Sequence, residues 1–163
     1  MNVVVLSKAH NRKFFECEEP ALTRYLCEQA SQDMERKLAV CFVAADEQLQ
    51  VRGYYTLTSE SLGRESIPER FGKRLPKGYN APVILLGRLA RHSEERGRGL
   101  GEFLLMDALW RAYTLSMESL GALAVVVDPM HDRAAHFYRS YGFIDLPDSG
   151  RMFLPMAVIK KLF

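Results

Sequence analysis

Three glycines and two arginines stand close together at residues 96–101, in the sequence Arg-Gly-Arg-Gly-Leu-Gly. They follow a near-continuous apolar run over residues 82–91, which predicts a buried strand, and precede a helical pattern over 100–119. Glycines in such a turn let the backbone approach a ligand closely, while free N–H groups and the positive end of the helix attract negative charge. The stretch therefore predicts an anion site.

The spacing of these glycines excludes two common nucleotide-binding loops. The stretch has no Gly-x-Gly-x-x-Gly pattern and no Gly-Lys-Ser/Thr sequence, so it is neither a dinucleotide-binding turn nor a P-loop. Taken alone, a glycine-rich helix start with solvated arginines explains the fragment equally well.

Aromatic residues mark a second predicted helix, over residues 129–142, which Asp128-Pro129 opens and Gly142 closes. One stripe of this helix carries Ala134, Phe137, Tyr138 and Tyr141. A stripe at helical spacing is typical of a packed face, so spacing alone predicts that Tyr138 is a core aromatic residue.

The remaining pattern predicts the elements that position these groups. We expect a helix over 18–37, an antiparallel hairpin over 38–46 and 51–61 with Gly53 as a possible bulge, a basic surface excursion over 63–82 with one short element, a strand over 122–128, and a last strand over 151–159 interrupted by Pro155. Strand–helix–strand order favours an α/β (α+β) fold, in which helices cover a mixed sheet with a parallel strand pair.

Composition limits the function classes. The chain has 163 residues, 48% of them hydrophobic, which fits one domain. The longest early apolar run, residues 3–6, is far shorter than the ~7 to 15 residues of a signal-peptide core, so we expect a cytoplasmic protein without membrane spans. The cysteines have neither metal-ligand nor disulfide spacing and are expected to be buried free thiols: Cys17, Cys27 and Cys41.

Positive charge is concentrated in the middle of the sequence. Net charge is only +2, but residues 64–98 carry nine basic and four acidic side chains, which leaves both flanking segments negative. A polyanionic partner would dock on this segment, and a solvated basic loop explains the charges equally well.

Both motifs resemble those of one enzyme superfamily. Residues 96–101 fit the Arg/Gln-x-x-Gly-x-Gly/Ala signature of the GNAT acetyl-CoA-dependent N-acetyltransferases, between the expected strand and helix. The stretch AAHFYRSYGF, residues 134–143, is similar to the second GNAT signature, a helix with a tyrosine before Tyr-Gly-Phe. The resemblance implies one GNAT domain over residues 1–163, with a mostly antiparallel sheet and a splayed parallel pair.

The resemblance also implies the roles of the site residues. Pantetheine would lie along the strand backbone at Leu89, Ala90 and Arg91, and the pyrophosphate on the N–H groups of residues 97–101. Arg96 and Arg98 would contact CoA phosphates. The other cofactor-binding positions implied are Gly97, Gly99, Leu100, Gly101, His131 and Phe137. Arg91 and His131 depart from the residues usual at their positions.

The chemistry implied by the resemblance is direct attack of an amine on acetyl-CoA, with no metal. A backbone N–H near Leu89 or Ala90 would stabilise the oxyanion. Tyr138 would be the general acid that protonates the departing thiolate, because a neutral phenol with a pKa near ~10 retains its proton.

A narrower resemblance points to the GNAT toxins of bacterial toxin–antitoxin pairs, which acetylate the amine of an amino acid attached to tRNA. Its residues are Phe15-x-Cys17 before a helix with Leu22 and Leu26, and the segments 53–57, 85–90, 137–143 and 152–156. This likeness implies aminoacyl-tRNA, a small DNA-binding antitoxin and a second copy in a homodimer as partners.

The free-energy cost of deprotonation favours an α-amine as the group that is acetylated. Deprotonating a lysine at pH 7 costs ~4.6 kcal/mol, whereas an α-amine costs only ~1 to 1.4 kcal/mol, so an enzyme without a strong base suits the α-amine. His92 and His131 are candidate bases near the motifs, although each is more readily explained as an ordinary loop histidine. Within the basic segment, Arg74, Lys77 and Arg88 are candidates for binding tRNA. Two alternatives stay open: a GNAT acting on a small amine, peptide or protein, and a noncatalytic CoA-binding or partner-binding module.

Overall fold

Seven strands form one sheet in the order β1-β2-β3-β4-β5-β7-β6 in a computed structural model that describes residues 1–163. The strands are β1 Val3–Val5, β2 Val40–Ala45, β3 Val51–Leu62, β4 Ala81–Arg91, β5 Ala124–Val127, β6 Ile144–Asp145 and β7 Met152–Pro155. The helices are α1 Pro20–Arg24, α2 Ala30–Glu35, α3 Glu69–Gly72, α4 Leu100–Glu118, α5 Asp132–Ser140 and α6 Met156–Ile159. Strands β4 and β5 are parallel, and the pairs β1–β2, β2–β3, β5–β7 and β6–β7 are antiparallel. The predicted mixed, mostly antiparallel sheet is confirmed.

The chain divides into two compact units. The first comprises Met1–Thr58 and Gly87–Ala108, and the second comprises Ser59–Leu86 and Leu109–Phe163.

In the first unit, the helix predicted over 18–37 contains a wider turn. Pro20 stands in the first turn of α1, where its missing N–H removes no hydrogen bond. A π-helical turn, Tyr25–Gln29, connects α1 to α2. The inner face of these helices packs into a core cluster with Leu6, Phe15, Cys17, Tyr25, Leu26, Ala30, Cys41, Val43, Val51, Tyr54 and Ala90.

The predicted hairpin is confirmed, but its bulge is not at Gly53. Ala44 pairs with Gly53 and Ala45 with Val51, so Arg52 is the extra residue. Gly53 is required by packing instead, because a Cβ there would lie 2.7 Å from Cδ1 of Leu104.

In the second unit, the parallel pair is short. It runs from Val83 opposite Ala124 to Leu86 opposite Val127, and β4 then continues to Arg91 without a β5 partner. The pairing of β4 with β5 thus ends at Leu86.

The last predicted strand ends earlier than expected. Pro155 is the final residue of β7 and stands immediately before α6. The fixed φ and missing N–H of Pro155 suit both the end of a strand and the start of a helix. The strand predicted over 151–159 is therefore wrong for residues 156–159, which are helical.

The basic excursion contains one short helix, α3, after a 3₁₀ turn at Arg64–Ser66. The Arg64 guanidinium donates to the carbonyl oxygens of Leu75 (2.8 Å) and Pro76 (3.0 Å). Phe71 packs edge-on against Phe153 of β7 at 5.1 Å between ring centroids. These contacts fix the loop to the core of its own unit.

The prediction of three buried thiols holds for two of them. Cys17 and Cys41 are buried, whereas Cys27 is exposed because it lies on the outer face of the π-helical turn. None of the helices combines the length and apolar character needed to cross a bilayer.

Candidate active site

The turn between β4 and α4 has a backbone that requires glycine. Gly97 and Gly99 have φ values of +77° and +79°, in the left-handed region that favours glycine, and α4 begins at Leu100. A Cβ built at either glycine, or at Gly101, meets no atom within 4 Å. The first N–H groups of a 19-residue helix follow immediately. The turn predicted as an anion site therefore fits a diphosphate. Its glycines set the backbone conformation, the space around them is open, and the helix start presents positive charge.

A buried carboxylate holds this turn in place. Glu95 is only 7% exposed, and its Oε2 accepts a hydrogen bond from Nη2 of Arg52 at 3.0 Å. Nη1 of Arg98 lies 3.5 Å from the same oxygen, but the Arg98 side chain is 71% exposed. Arg96 is exposed, and its side chain makes no hydrogen bond or ion pair within the chain. Both predicted phosphate-binding arginines thus remain accessible.

The strand before the turn offers its backbone rather than its side chains. Ala90 is buried, Leu89 is half-buried, and Nη1 of Arg91 donates to Oε1 of Glu18 at 3.1 Å. A backbone hydrogen bond and the Arg91 guanidinium together hold the pKa of Glu18 below its usual range. Because its side chain is engaged in this way, Arg91 can serve a ligand mainly through its backbone.

The second predicted group lies on α5 and around its start. His131 caps the helix, because its Nδ1 accepts a hydrogen bond from the Ala134 N–H at 3.1 Å. The Tyr138 ring is 9% exposed and contacts the rings of Phe137 and Phe143 at centroid distances of 5.4 and 5.3 Å. The prediction of a core aromatic is therefore correct for the ring.

The Tyr138 hydroxyl differs from its ring. It makes no hydrogen bond within the chain, and its oxygen atom is not fully buried. Burial of the side chain raises the pKa of Tyr138 above its ordinary value. This arrangement presents a protonated phenol whose donor is not used by the fold.

The comparisons with known proteins agree with this arrangement. Residues 37–145, which include β4, the glycine turn and α5, match the acetyltransferase (GNAT) domain family. The chain belongs to the GNAT acetyltransferase family. The predicted membership is thereby confirmed.

Two relatives of this GNAT chain are named as toxins. The "tRNA-acetylating toxin" of Mycobacterium tuberculosis (strain ATCC 25618 / H37Rv) is 36% identical over 138 residues, which cover 85% of this chain and 81% of the relative. The "Probable toxin TacT" of Sinorhizobium fredii (strain NBRC 101917 / NGR234) is 29% identical over 162 residues, covering 94% and 89% of the two chains.

Solved structures of other toxins have the same fold. AtaT complexed with acetyl-methionyl-tRNAfMet superposes with a TM-score of 0.90 at 27% identity, covering 99% of this chain and 98% of that one. A tyrosine-to-phenylalanine mutant of AtaT bound to the C-terminus of the antitoxin AtaR and to acetyl-CoA gives 0.83 at 25% identity, with coverage of 99% and 97%. The KacTA–DNA complex gives 0.81 at 27% identity, with the same coverage.

The site residues predicted for this GNAT domain fall in both compact units. Arg88, Leu89, Ala90, Arg91 and residues 96–101 belong to the first unit, whereas Arg74, Lys77, His131, Phe137 and Tyr138 belong to the second. Arg74 and Lys77 are exposed, and their side chains make no hydrogen bond or ion pair within the chain. Arg88 is different, because it is half-buried with its guanidinium over the Tyr25 ring.

Sequence reasoning missed the residues that support the GNAT turn. No spacing marks Glu95 as a buried carboxylate that binds Arg52, since the two lie on separate elements. Arg52 also donates to Oε1 of the exposed Glu94 at 3.2 Å. No group of three or more His, Cys, Asp or Glu residues in the chain comes together as a metal site.

His92, one of the two candidate bases, is fully used by the fold. Its Nδ1 accepts from the Glu94 N–H at 3.1 Å, and its Nε2 lies 3.0 Å from the Phe14 carbonyl oxygen, which can only accept. This pattern assigns the proton to Nε2 and leaves no lone pair for substrate.

We therefore expect His92→Asn to keep the pH dependence of acetyl transfer unchanged near neutrality. It should lower the free energy of unfolding by about 1 kcal/mol, because the hydrogen bond from Nε2 to the Phe14 carbonyl oxygen is lost. Rates measured as a function of pH, together with chemical denaturation, check both parts. An acid limb that disappears in the variant would instead identify His92 as the base.

Proposed function

We propose that this chain transfers the acetyl group of acetyl-CoA to the α-amine of an aminoacyl-tRNA and thereby blocks translation. The observation that carries the proposal is the likeness, over most of both chains, to a protein named as a tRNA-acetylating toxin. The fold shared with AtaT complexed with acetyl-methionyl-tRNAfMet supports the same substrate class.

Acetyl-CoA supplies an acyl group activated as a thioester, and the first unit holds its phosphates. The N–H groups of Gly97, Gly99, Leu100 and Gly101 bind the pyrophosphate, whereas the Arg98 N–H already donates to the Glu95 carbonyl oxygen at 3.2 Å. The accessible guanidinium groups of Arg96 and Arg98 add charge-assisted hydrogen bonds. The backbone of residues 89–91, beyond the end of the β4–β5 pairing, binds the pantetheine arm as an added strand would. His131 and Phe137 are the further cofactor contacts proposed.

In the reaction, the neutral α-amine attacks the thioester carbonyl, a C–N bond forms, and the C–S bond breaks. A backbone N–H of Leu89 or Ala90 donates to the carbonyl oxygen as it becomes negative. Tyr138 Oη gives its proton to the departing thiolate and is then reprotonated from water. The amine proton leaves to solvent, which an α-amine with a pKa of ~7.7 to 8.0 permits near neutral pH.

The proposed function also implies binding partners for the chain and a location in the cell. The candidate phosphate contacts for the tRNA acceptor stem are Arg74 and Lys77, whose side chains are exposed and make no hydrogen bond or ion pair within the chain. The AtaR and KacTA–DNA complexes of related toxins support a DNA-binding antitoxin as the protein partner. A cytoplasmic location follows from the substrate, and a homodimer remains a prediction, as does a single GNAT domain over residues 1–163.

The decisive experiment offers the purified chain labelled acetyl-CoA and a panel of tRNAs charged with each amino acid, beside the same tRNAs uncharged. We expect label on one or a few aminoacyl-tRNAs and none on uncharged tRNA. Labelling of a small amine, a peptide or a protein in place of every aminoacyl-tRNA would refute the tRNA substrate but keep the acetyltransferase. CoA binding without any acetyl transfer would leave a noncatalytic module.

A further inference from the structure

Arg88 is held in a fixed place while its hydrogen-bond donors remain unused. Its guanidinium carbon lies 3.6 Å from the centroid of the Tyr25 ring, close enough for a strong cation–π contact. The side chain is half-buried, yet none of its N–H groups bonds to an acceptor in the chain. A guanidinium has five donors, and none of those of Arg88 is both fully buried and unpaired, so they are within reach of solvent or of a ligand. The arrangement presents a positioned guanidinium edge to an anionic ligand.

The aromatic surface beneath Arg88 is itself fixed. Tyr25 begins the π-helical turn, a local geometry that is frequent at functional sites. Its hydroxyl donates to Oδ2 of Asp33 at 2.8 Å, and its ring stacks on Tyr54 with an interplanar angle of 16°. Tyr54 in turn donates to the Leu22 carbonyl oxygen at 2.6 Å. These contacts hold the Tyr25 ring in one orientation beneath the Arg88 guanidinium.

The nearby carboxylate does not neutralise Arg88 through a direct bond. Both oxygens of Asp33 are used, Oδ2 by Tyr25 and Oδ1 by Nε2 of Gln29 at 2.9 Å. The Gln29 hydrogen bond is the largest cause that lowers the pKa of Asp33, and Arg88 acts on it only through its charge. Asp33 thus fixes the ring and keeps the guanidinium nearby, while the N–H edge of Arg88 stays available to an anion.

The position of Arg88 on β4 indicates which anion this is. Side chains two residues apart on a strand lie on the same face, so Arg88 is on the face of Ala90, about 7 Å along the strand. Under the proposed function, the reacting amine lies next to the Ala90 backbone. In an aminoacyl-tRNA, the anion nearest that amine is the phosphate of the terminal nucleotide, and a guanidinium fork matches phosphate geometry.

We propose that Arg88 binds the phosphate of the terminal nucleotide of the aminoacyl-tRNA, with Tyr25 and Asp33 as positioning residues. The inference rests on the proposed function and assigns one substrate contact within it. Acetyl-CoA is a different phosphate source, but its pyrophosphate is assigned to residues 97–101, so Arg88 has no part in binding it.

The test compares two small substrates that differ by one phosphate. They are 3′-aminoacylamino-3′-deoxyadenosine, carrying the amino acid that the tRNA panel identifies, and the 5′-phosphate of the same compound. Wild type should have a KM at least about tenfold lower for the phosphorylated compound, as expected for a charge-assisted contact. Arg88→Ala should bring the two KM values together, because the substrate phosphate loses its partner, while the variant still acetylates the unphosphorylated compound. That second substrate also reports whether the variant is folded.

Three further variants sharpen the comparison. Tyr25→Leu should lose most of the phosphate preference, because the guanidinium loses its platform. Arg88→Lys should restore part of it, because the charge returns without the planar fork. Arg24→Ala, which removes an exposed arginine at the end of α1, is the matched charge control and should keep the full preference. With intact aminoacyl-tRNA, Arg88→Ala should also reduce the slope of log(kcat/KM) against log salt by about 0.7.

The outcomes separate this inference from the proposed function. A preference for the phosphorylated compound that survives Arg88→Ala, an equal loss in Arg24→Ala, or a raised KM for acetyl-CoA would each overturn the assignment of Arg88. Equal use of both compounds by wild type would overturn it too, while the acetylation of aminoacyl substrates stood. Failure of wild type to acetylate any aminoacyl substrate would refute the proposed function itself.

Discussion

Replacement of Tyr138 by phenylalanine is expected to lower kcat for acetyl transfer by about 10²-fold or more, with little change in the KM for acetyl-CoA. The substitution removes one oxygen atom that makes no hydrogen bond within the chain, while the ring keeps its contacts with Phe137 and Phe143. The free energy of unfolding should therefore stay within about 0.5 kcal/mol of wild type. In cells, the same variant should relieve growth arrest caused by expression of the chain.

The pH dependence separates the acid from the substrate amine. Because burial raises the pKa of Tyr138, its phenol stays protonated through neutral and mildly alkaline pH. The rate should therefore rise with pH as the substrate α-amine, with a pKa of ~7.7 to 8.0, loses its proton, and should not fall again below pH ~10. The Tyr138→Phe variant should show the same pH profile with a lower rate at each pH.

Tyr113→Phe is the matched control for Tyr138→Phe, because it removes a phenolic hydroxyl from α4 in the same unit and should leave kcat unchanged. Single-turnover kinetics and chemical denaturation of both variants make the comparison. A kcat for Tyr138→Phe within about twofold of wild type would show that Tyr138 serves packing alone.

Replacement of both Gly97 and Gly99 by alanine is expected to raise the KM for acetyl-CoA by about 10 to 100-fold, as for the loss of one or two charge-assisted hydrogen bonds. Alanine disfavours the positive φ of both positions, so the turn would relax and its N–H groups would turn away from the diphosphate. At saturating acetyl-CoA, kcat should change little, because Tyr138 and the strand backbone are intact. Calorimetric titration with acetyl-CoA measures the binding term directly.

Two single glycine variants control for strain and for space. Gly78 has a φ of +82° and open space around it, so Gly78→Ala carries the same kind of backbone strain, about 1 kcal/mol, outside the turn. It should lower stability without changing the KM for acetyl-CoA. Gly101→Ala adds a methyl group in open space without strain from a positive φ, and should affect binding only if the ligand occupies that space. Equal KM values for acetyl-CoA in Gly97→Ala/Gly99→Ala and Gly78→Ala would contradict the binding of the diphosphate by this turn.

Much of the fold was predictable because its signals are local. Strand β4, the glycine turn and α4 follow one another in the sequence, and their apolar run, glycines and helical period are each visible within a short window. Strand β1 was not predicted, although its three valines favour a strand, because so short a run does not show by itself that β2 pairs with it. The bulge was misplaced by one residue because Gly53 is there to admit the Leu104 side chain, a contact between distant elements.

The candidate site was predictable in its motifs but not in its supporting contacts. The sequence grouped Arg64, Arg74 and Arg88 as members of one basic segment, whereas the structure gives each a different role. Arg64 bonds to carbonyl oxygens of its own loop, Arg74 is exposed, and Arg88 lies over Tyr25. Charge counting cannot separate these cases, because the distinction depends on which acceptor or ring the fold brings to each guanidinium.

The two hydrogen bonds from Arg64 to the carbonyl oxygens of Leu75 and Pro76 have a consequence for recognition. A basic loop that is ordered only when RNA arrives loses conformational entropy at that moment, about 1 to 2 kcal/mol for each residue fixed. Here Arg64 has already closed the loop, so the entropy is lost during folding instead. In the proposed tRNA complex, Arg74 and Lys77 would therefore meet the phosphate backbone from a preorganised surface, on which more of the interaction energy would be retained as affinity.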